Sequence, residues 1–152
     1  AMAAGLSCNP DQVDGLRTFL EEHTQGARRE LAEARVLEID GALAPRAANA
    51  ELLELIERVG PYGSGAPEPL FAAPNVTPGF ARQVGDNHVA FEMIGEDGAK
   101  LRAIAFRVAD TVIGEAILAK ARLHVAGRLR ADTWRGNGAV QLEVVDVALA
   151  DG

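Results

Sequence analysis

The sequence predicts an α+β protein in which an N-terminal helical segment with a short strand is followed by a five-stranded β-barrel. The first part shows apolar residues at helical spacing. A segment rich in Gly and Pro comes next. The last part shows five runs typical of strands, with one helical pattern between the third and the fourth.

The N-terminal part is expected to contain two helices and one strand. Asn9-Pro10 is a good helix start, and this helix is expected to run to about His23. Residues 27–34 are charged and helix-prone, while Arg35 to Ile39 alternates like a short strand that ends at the turn Asp40-Gly41.

A further helix is expected to begin after Asn49, which is able to cap it, and to end at Gly60-Pro61. Residues 60–69 contain three Gly and three Pro, so their backbone is expected to be irregular. This segment marks the expected boundary between a region at 1–69 and a second one at 70–152.

The second region shows strand patterns joined by turn sequences. A helix capped by Asp110 or Thr111 is expected to reach Lys120, between the third and fourth strands. Three strands, one helix and two strands is the element order of an OB-fold, and an unrelated small barrel or split sheet is the alternative. The predicted strands are Phe80–Val84, His88–Ile94, Lys100–Arg107, Arg122–Arg130 and Ala139–Leu149.

The formal net charge is −7 at pH 7, which argues at first against a protein that binds a polyanion. The acidity is uneven, because residues 1–69 hold 6 Lys and Arg against 12 Asp and Glu, whereas residues 70–152 hold 9 against 10. A nearly neutral second region is able to carry a local basic stripe, and its binding alone is expected to be weak and sensitive to salt.

Cysteine, histidine and hydropathy patterns exclude several classes of protein. The single cysteine, Cys8, cannot form an internal disulfide, and the three histidines, His23, His88 and His124, lack metal-ligand spacing. No apolar run approaches the roughly 20 residues of a membrane helix, and no secretory leader opens the sequence. We therefore expect a cytoplasmic protein with no membrane partner and no cofactor of its own.

The Gly/Pro segment carries a resemblance to a known family. Residues 61–69, Pro-Tyr-Gly-Ser-Gly-Ala-Pro-Glu-Pro, with Phe71, resemble the aromatic-Gly-x-Gly-Asn-x-Glu-Pro loop that leads into the OB domain of RecJ exonucleases. Ala66 stands where the family usually has Asn, so a side-chain amide that braces the loop is missing. The similarity continues at Gly85, His88, Ala103–Phe106, Trp134, Gly136, Gln141-Leu142 and Asp146.

The start of the chain fits the same family. Ala3-Ala4-Gly5-Leu6 resembles the residues that come after the Gly-Gly-His motif in the family's DHH-associated domain, and Ala1 precedes Met2, so we expect part of a longer protein. The resemblance implies that residues 1–69 are the tail of that domain with a connecting helix, and that 70–152 form the OB-fold.

The same resemblance implies a C-terminal portion of a single-strand-specific DNA exonuclease that acts 5′ to 3′ in DNA repair and recombination. It places Mn or Mg in a catalytic domain outside this chain, which alone is expected to be inactive. The implied partners are single-stranded DNA, the catalytic core of the parent chain and DNA-repair proteins.

Arginines are the leading candidates for contacts with a DNA strand, because an OB barrel uses Arg or Lys on phosphates and aromatic side chains on bases. Arg128 and Arg130 share a face of the fourth predicted strand, and Arg135 follows in the next hairpin. These three form the principal predicted cluster. Arg102, on the third strand, and Arg82, on the first, are additional candidates.

Aromatic candidates each have a structural alternative. Trp134, at a Gly-rich turn, is expected either to stack on a base or to pack against the protein. Tyr62 is expected to anchor its loop against the barrel, with base stacking as the alternative. Phe106 shares a predicted face with Arg102 but is expected in the core, and His88 is expected to be a hydrogen-bonded structural imidazole.

Two functions are consistent with these patterns. The first is strand guiding by single-stranded-DNA binding. The second is an acidic protein-interaction module built on a small β-barrel, whose helical part docks on the parent enzyme or another partner. A self-sufficient enzyme is not supported, because Glu92, Glu96 and Asp97 form no convincing acid–base pair and no other catalytic constellation is present.

Overall fold

The computed structural model describes Asn9, residues 12–19 and residues 36–150. The chain divides into two compact units, Ala1–Leu37 and Glu38–Gly152. In the first unit, residues 13–19 are helical (α1), which agrees with part of the helix expected up to His23. The remainder of that helix and the helix-prone run at 27–34 lie outside the described residues.

In the second unit, the described residues form six strands and two α-helices, with a short 3-10 helix at Pro45–Ala47. A helix separates the third and fourth strands of its barrel. In chain order the elements are β1 (Gly41–Ala42), α2 (Ala50–Val59), β2 (Phe71–Val84), β3 (His88–Ile94), β4 (Lys100–Ala105), α3 (Val112–Leu118), β5 (Leu123–Ala131) and β6 (Val140–Leu149).

Strands β2 to β6 close into a barrel. The sheet order is β1-β2-β3-β4-β6-β5, and β2 also pairs with β5, which joins the two ends. Within the barrel, β4 and β6 are parallel while the other neighbouring strands are antiparallel. Five strands with a helix between the third and the fourth make an OB-fold, so the predicted fold is confirmed.

The core lies inside the barrel. The interior positions alternate along each strand, as the 2-residue period requires, and they include Val76, Val89, Met93, Leu123, Val125, Leu129 and Leu142. Helix α3 contributes Ile117, which is fully buried in the same cluster. Gly114 lets this helix approach the preceding segment, because a Cβ there would lie 2.0 Å from the Val108 carbonyl oxygen.

Helix α2 is formed and capped as the sequence predicts. The backbone N–H of Leu52 donates to Asn49 Oδ1 at 2.9 Å, and the helix ends at Val59 before Gly60. Its partly buried residues Leu52, Leu53 and Ile56 pack against the barrel core. The helix therefore belongs to the same unit as the barrel, and the irregular loop after it reaches β2 directly.

The prediction of a strand from Arg35 to Ile39 is wrong for residues 36–39, the part of it that the structure describes. Strand structure begins at Gly41 and lasts two residues, parallel to Phe71-Ala72 of β2. Residues 36–39 have the alternation of a strand but pair with no described strand and are exposed. Strand pairing starts directly after Asp40, which makes two hydrogen bonds with Leu70. The Asp40 backbone N–H donates to the Leu70 carbonyl oxygen, and the Leu70 backbone N–H donates to the Asp40 carboxylate.

Strand β2 begins at Phe71, nine residues before the predicted start at Phe80. The sequence pattern did not predict this early start, because the segment contains Pro74 and Pro78 and proline is unusual inside a sheet. The barrel accommodates this segment with two irregularities in the register, between Ala73 and Val76 against β5 and between Gly79 and Arg82 against β3. The other strands agree with the prediction within one or two residues.

Strand β4 ends at Ala105, before the predicted Arg107. Arg107 has a φ of 60°, which takes the backbone out of the extended region. Its N–H donates to His88 Nδ1 at 3.0 Å, the structural hydrogen bond expected of that imidazole.

Among the described residues, no helix has the length and apolar character needed to cross a membrane.

Candidate nucleic-acid interface

The outer face of β2, β3 and β4 carries an open groove of about 440 Å³, which we name the Phe80 groove. Three guanidinium groups and one carboxylate line it, so its local charge is positive although the chain as a whole is acidic. The lining residues are Phe80, Ala81, Arg82, Ala90, Phe91, Glu92, Arg102 and Arg135.

Phe80 projects from the surface because the backbone changes phase beside it. The register between β2 and β3 shifts between Gly79 and Arg82, and Phe80 itself has a φ of 49°. A bulge of this kind re-aims side chains, since one extra residue exchanges the two faces of a strand. The Phe80 ring is 75% exposed, and Lys100 Nζ lies 5.5 Å from its centre. The ring thus has a face available to a ligand.

Two of the groove's arginines carry unneutralised charge. Within the described residues, neither Arg82 nor Arg135 makes an ion pair, and both are exposed. Arg102 differs, because its Nη1 donates to Asp132 Oδ2 at 2.5 Å. Its side chain is held in one orientation while remaining 31% exposed to the groove. The structure therefore brings together three of the predicted arginines from two strands and one hairpin loop.

Asp132 fixes the hairpin loop that carries Trp134 and Arg135. Its carboxylate is fully buried and accepts from Arg102 through one oxygen. The other oxygen accepts from the backbone N–H groups of Trp134 and Arg135, each at 3.2 Å. One buried carboxylate thus ties the loop to β4. Sequence reasoning missed Asp132, and an acid directly after a strand and before a Gly-rich turn was the available signal.

Trp134 is 93% exposed. Packing against the protein, one of the two alternatives for this indole, is therefore excluded, and base stacking stays a proposal. The loop holds the residue beside Arg135, which lines the Phe80 groove. Trp134 is thus the chain neighbour of a groove residue, although it does not itself line the groove.

Arg128 and Arg130 lie in a separate ion-pair cluster, the Glu68 cluster, formed by these two residues with Glu68 and Glu143. Both Arg130 terminal nitrogens donate to Glu68, Nη2 to Oε2 at 2.7 Å, and Arg130 Nε donates to Glu143 at 3.2 Å. Arg128 Nε lies 3.8 Å from Glu68. The hydrogen bond with Glu68 raises the pKa of Arg130 above its ordinary value; burial opposes this rise, and the hydrogen bond with Glu143 adds to it.

The Glu68 cluster continues the outer surface away from the groove. In the register, Arg102 of β4 pairs with Gln141 of β6, and Gln141 pairs with Arg130 of β5. Residues paired in this way project to the same face of a sheet. The predicted arginines thus form a band across three strands, although Arg128 and Arg130 are neutralised internally while Arg135 is not.

Two predicted aromatic positions differ from the groove residues. The Tyr62 hydroxyl donates to the Ile56 carbonyl, which fastens the loop to α2. Tyr62 thus anchors the loop, but through α2, whereas the prediction placed this anchor against the barrel. Tyr62 lines a different depression from the arginines. The expectation that Phe106 is a core residue is wrong. Its ring is 46% exposed after the end of β4, where it makes an edge contact with His88 at 5.1 Å between centroids.

Comparison with known proteins decides the family. The model of the RecJ OB domain matches residues 39–146, which include the whole barrel apart from the end of β6. The chain belongs to the RecJ OB domain family. This RecJ OB domain holds the Phe80 groove and the Glu68 cluster within the matched range.

Curated relatives support the assignment over nearly the whole chain. The single-stranded-DNA-specific exonuclease RecJ of Haemophilus influenzae is 33% identical over 156 residues, which cover 95% of this chain and 25% of the relative. The protein of the same name from Escherichia coli is 32% identical over 150 residues, covering 97% and 25%. The chain thus spans about a quarter of the length of these relatives.

Solved structures support the fold. Crystal structures of RecJ from Thermus thermophilus, in complex with Mg²⁺ and with Mn²⁺, match this chain with TM-scores of 0.53 and 23% identity. The matches cover 96% and 97% of this chain and 21% and 20% of those chains. In this RecJ OB domain, the described residues contain no group of three or more His, Cys, Asp or Glu that fits a metal ion.

A substitution at Glu68 tests whether Arg128 and Arg130 of this RecJ OB domain contact DNA. We expect Glu68→Gln to raise the affinity for single-stranded DNA about fivefold and to make its salt dependence steeper, because the substitution unmasks up to one phosphate-binding charge without changing side-chain size. Fluorescence anisotropy of a labelled oligonucleotide measures this. Glu115→Gln, on the exposed side of α3, is the charge-matched control. If both variants bind DNA with equal affinity, Arg128 and Arg130 are not part of the interface.

Proposed function

We propose that this chain binds single-stranded DNA across the outer face of its barrel, with the Phe80 groove as the central contact. One observation carries the proposal: the groove gathers the guanidinium groups of Arg82, Arg102 and Arg135 with the exposed ring of Phe80. A second exposed aromatic residue, Trp134, precedes Arg135 in the chain. Proteins that bind single-stranded nucleic acid usually combine aromatic side chains, on which bases stack, with a positively charged groove that follows the backbone.

Both kinds of contact contribute enough to hold a strand. Stacking of a base on an exposed aromatic ring contributes about 1 to 3 kcal/mol. Each phosphate that an arginine neutralises increases the binding constant, and this increase becomes smaller as the salt concentration rises. A duplex offers no free base faces to Phe80 or Trp134, so the groove prefers a single strand. The acidic remainder of the chain keeps the total affinity modest.

The strand-binding role fits a place within a larger exonuclease. The relatives that the chain matches are named single-stranded-DNA-specific exonucleases. In our proposal this chain is the C-terminal, strand-guiding part of such an enzyme acting 5′ to 3′ in DNA repair and recombination. Residues 1–69 supply the tail of a DHH-associated domain with the connecting helix and loop, and 70–152 the OB domain.

Hydrolysis belongs to residues outside this chain in the same proposal. The solved relatives hold Mg²⁺ or Mn²⁺, whereas the residues described here offer no ligand cluster for either ion. We accordingly expect the isolated chain to bind DNA without cleaving it. Its further partners are the catalytic core of the parent and DNA-repair proteins, in the cytoplasm.

A salt titration of DNA binding tests the proposal. We expect the 152-residue chain to bind a labelled single-stranded oligonucleotide at low salt and to lose it as salt rises, with weaker binding to the duplex of the same sequence. Anisotropy gives both affinities. Equal affinity for the two forms, or no binding of the single strand at low salt, contradicts the proposal.

The protein-interaction alternative has one observation in its favour. A second depression, of about 390 Å³, is lined largely by apolar residues of α2 and the Gly/Pro loop. Leu55 and Val59 within it are 51% and 77% exposed. This surface is suited to a protein contact. It lies apart from the arginine-lined groove, so a docking role there is compatible with DNA binding on the outer barrel face.

A further inference from the structure

Glu92 stands out in the Phe80 groove because it is the one carboxylate among the lining residues. A groove that recognised phosphates alone would gain nothing from it, since a carboxylate repels a phosphate. Its position is central: Glu92 pairs in register with Gly79 of β2 on one side and with Arg102 of β4 on the other. The groove therefore presents a hydrogen-bond acceptor between its aromatic wall and its arginines.

The Glu92 carboxylate has unused hydrogen-bonding capacity. Its Oε2 is buried and accepts no hydrogen bond from the described residues. Lys100 Nζ lies 3.4 Å from this oxygen, an ion-pair distance without hydrogen-bond alignment, and the same ammonium lies over the Phe80 ring. Arg102, its cross-strand neighbour, donates instead to Asp132. This oxygen is shielded from solvent, so a ligand reaches it by displacing the Lys100 ammonium, and a ligand that then donates to it supplies the hydrogen bond that it lacks.

Phosphates do not satisfy such an acceptor, but some bases do. An ionised carboxylate only accepts hydrogen bonds. Cytosine and adenine each carry an exocyclic amino group that donates, and guanine carries another, whereas thymine has a carbonyl oxygen where cytosine has its amino group. A base that stacks on Phe80 with its polar edge toward Glu92 thus meets an attractive partner if it has an amino group. Thymine has no amino group, and its single ring donor, N3–H, lies between two carbonyl oxygens that the carboxylate repels.

We propose that Glu92 is a specificity-determining residue, which gives the Phe80 groove a preference for bases with an exocyclic amino group over thymine. The inference rests on the proposed function, since it concerns a base in the same groove. It adds that the groove reads one edge of a base as well as holding the strand. Cytosine against thymine is the cleanest comparison, because both are pyrimidines of similar stacking area.

Competition between homopolymers tests this inference. We expect the chain to bind oligo-dC more tightly than oligo-dT of the same length by roughly fivefold to tenfold, about the effect of one hydrogen bond to a charged group reduced by the cost of displacing Lys100. In Glu92→Gln the ratio of the two affinities should fall toward one. The affinity for oligo-dT should rise, because the variant loses a negative charge and releases Lys100, whereas for oligo-dC this gain is offset by the lost hydrogen bond.

Glu96→Gln is the matched control, since Glu96 also forms one ion pair, with Arg122, and lies outside the groove lining. It removes the same charge but should leave the dC-to-dT ratio unchanged. If wild type binds both oligonucleotides equally, or Glu92→Gln keeps the wild-type ratio, the base-reading role is wrong while strand binding stands. If neither oligonucleotide binds at low salt, the proposed function itself fails, and this inference fails with it.

Discussion

Replacing Arg82 and Arg135 together by Ala should weaken the binding of single-stranded DNA by about 25-fold at 0.1 M salt. The figure follows from counterion release, because each phosphate contact on a single strand contributes about 0.7 to the slope of log affinity against log salt. Two lost contacts should therefore reduce that slope by about 1.4. Anisotropy titrations at several salt concentrations give both numbers.

These two arginines are chosen because their charges are available. Neither forms an ion pair within the described residues, so their removal leaves no partner carboxylate stranded. The double variant Arg58→Ala with Lys120→Ala is the matched control, as both side chains are exposed and lie outside the groove lining. It changes the net charge equally. If the control weakens binding as much as the groove variant, the effect is one of overall charge, and the groove is not the binding site.

Asp132→Ala should lower the free energy of unfolding by about 2 to 4 kcal/mol. The substitution removes the acceptor of three hydrogen bonds and leaves Arg102 without its buried partner, and breaking one side of such a pair is costly. We place the effect at the lower part of the range for buried pairs because Arg102 is 31% exposed and regains some hydration. Urea denaturation followed by circular dichroism measures it.

The same substitution should also reduce DNA affinity, because Asp132 holds the backbone of Trp134 and Arg135. Asp132→Asn separates the two roles. Its amide oxygen is able to accept from the loop N–H groups, while the charge opposite Arg102 is lost, so binding should suffer less than in Asp132→Ala. Asp110→Ala, at an exposed turn, should change neither quantity. A fully stable Asp132→Ala would show that the carboxylate does not organise the loop.

Strand order and helix placement were predictable because local signals agree with the barrel. His88–Ile94 alternates cleanly, and its burial alternates with it residue by residue. Asn49 and Thr111 cap their helices through side-chain oxygens, as residues of those types do. The start of β2 was not predictable from the same rules, since Pro74 and Pro78 are typical strand breakers. Only the tertiary register shows that Pro74 lies within an irregularity against β5 and that Pro78 pairs in register with Met93 of β3.

Candidate arginines were likewise predictable as a set, but their partners were not. Alternation places Arg128 and Arg130 on one face, yet it says nothing of Glu68, which is remote in sequence and folds back onto both. Phe80 shows a second limit. Plain alternation assigns it to the same face as the buried Pro78, and the bulge between Gly79 and Arg82 reverses that assignment. Such reversals depend on pairing with β3, which no local pattern encodes.

Fluorescence of Trp134 tests the central claim most directly, because it is the single tryptophan of the chain and its indole is 93% exposed. Titration with a single-stranded oligonucleotide should quench this emission in a saturable way that parallels the anisotropy isotherm, as expected for an indole that stacks on a base. The duplex of the same sequence should leave it nearly unchanged. Binding seen by anisotropy with no change in the emission of Trp134 would contradict a strand laid along this face of the barrel.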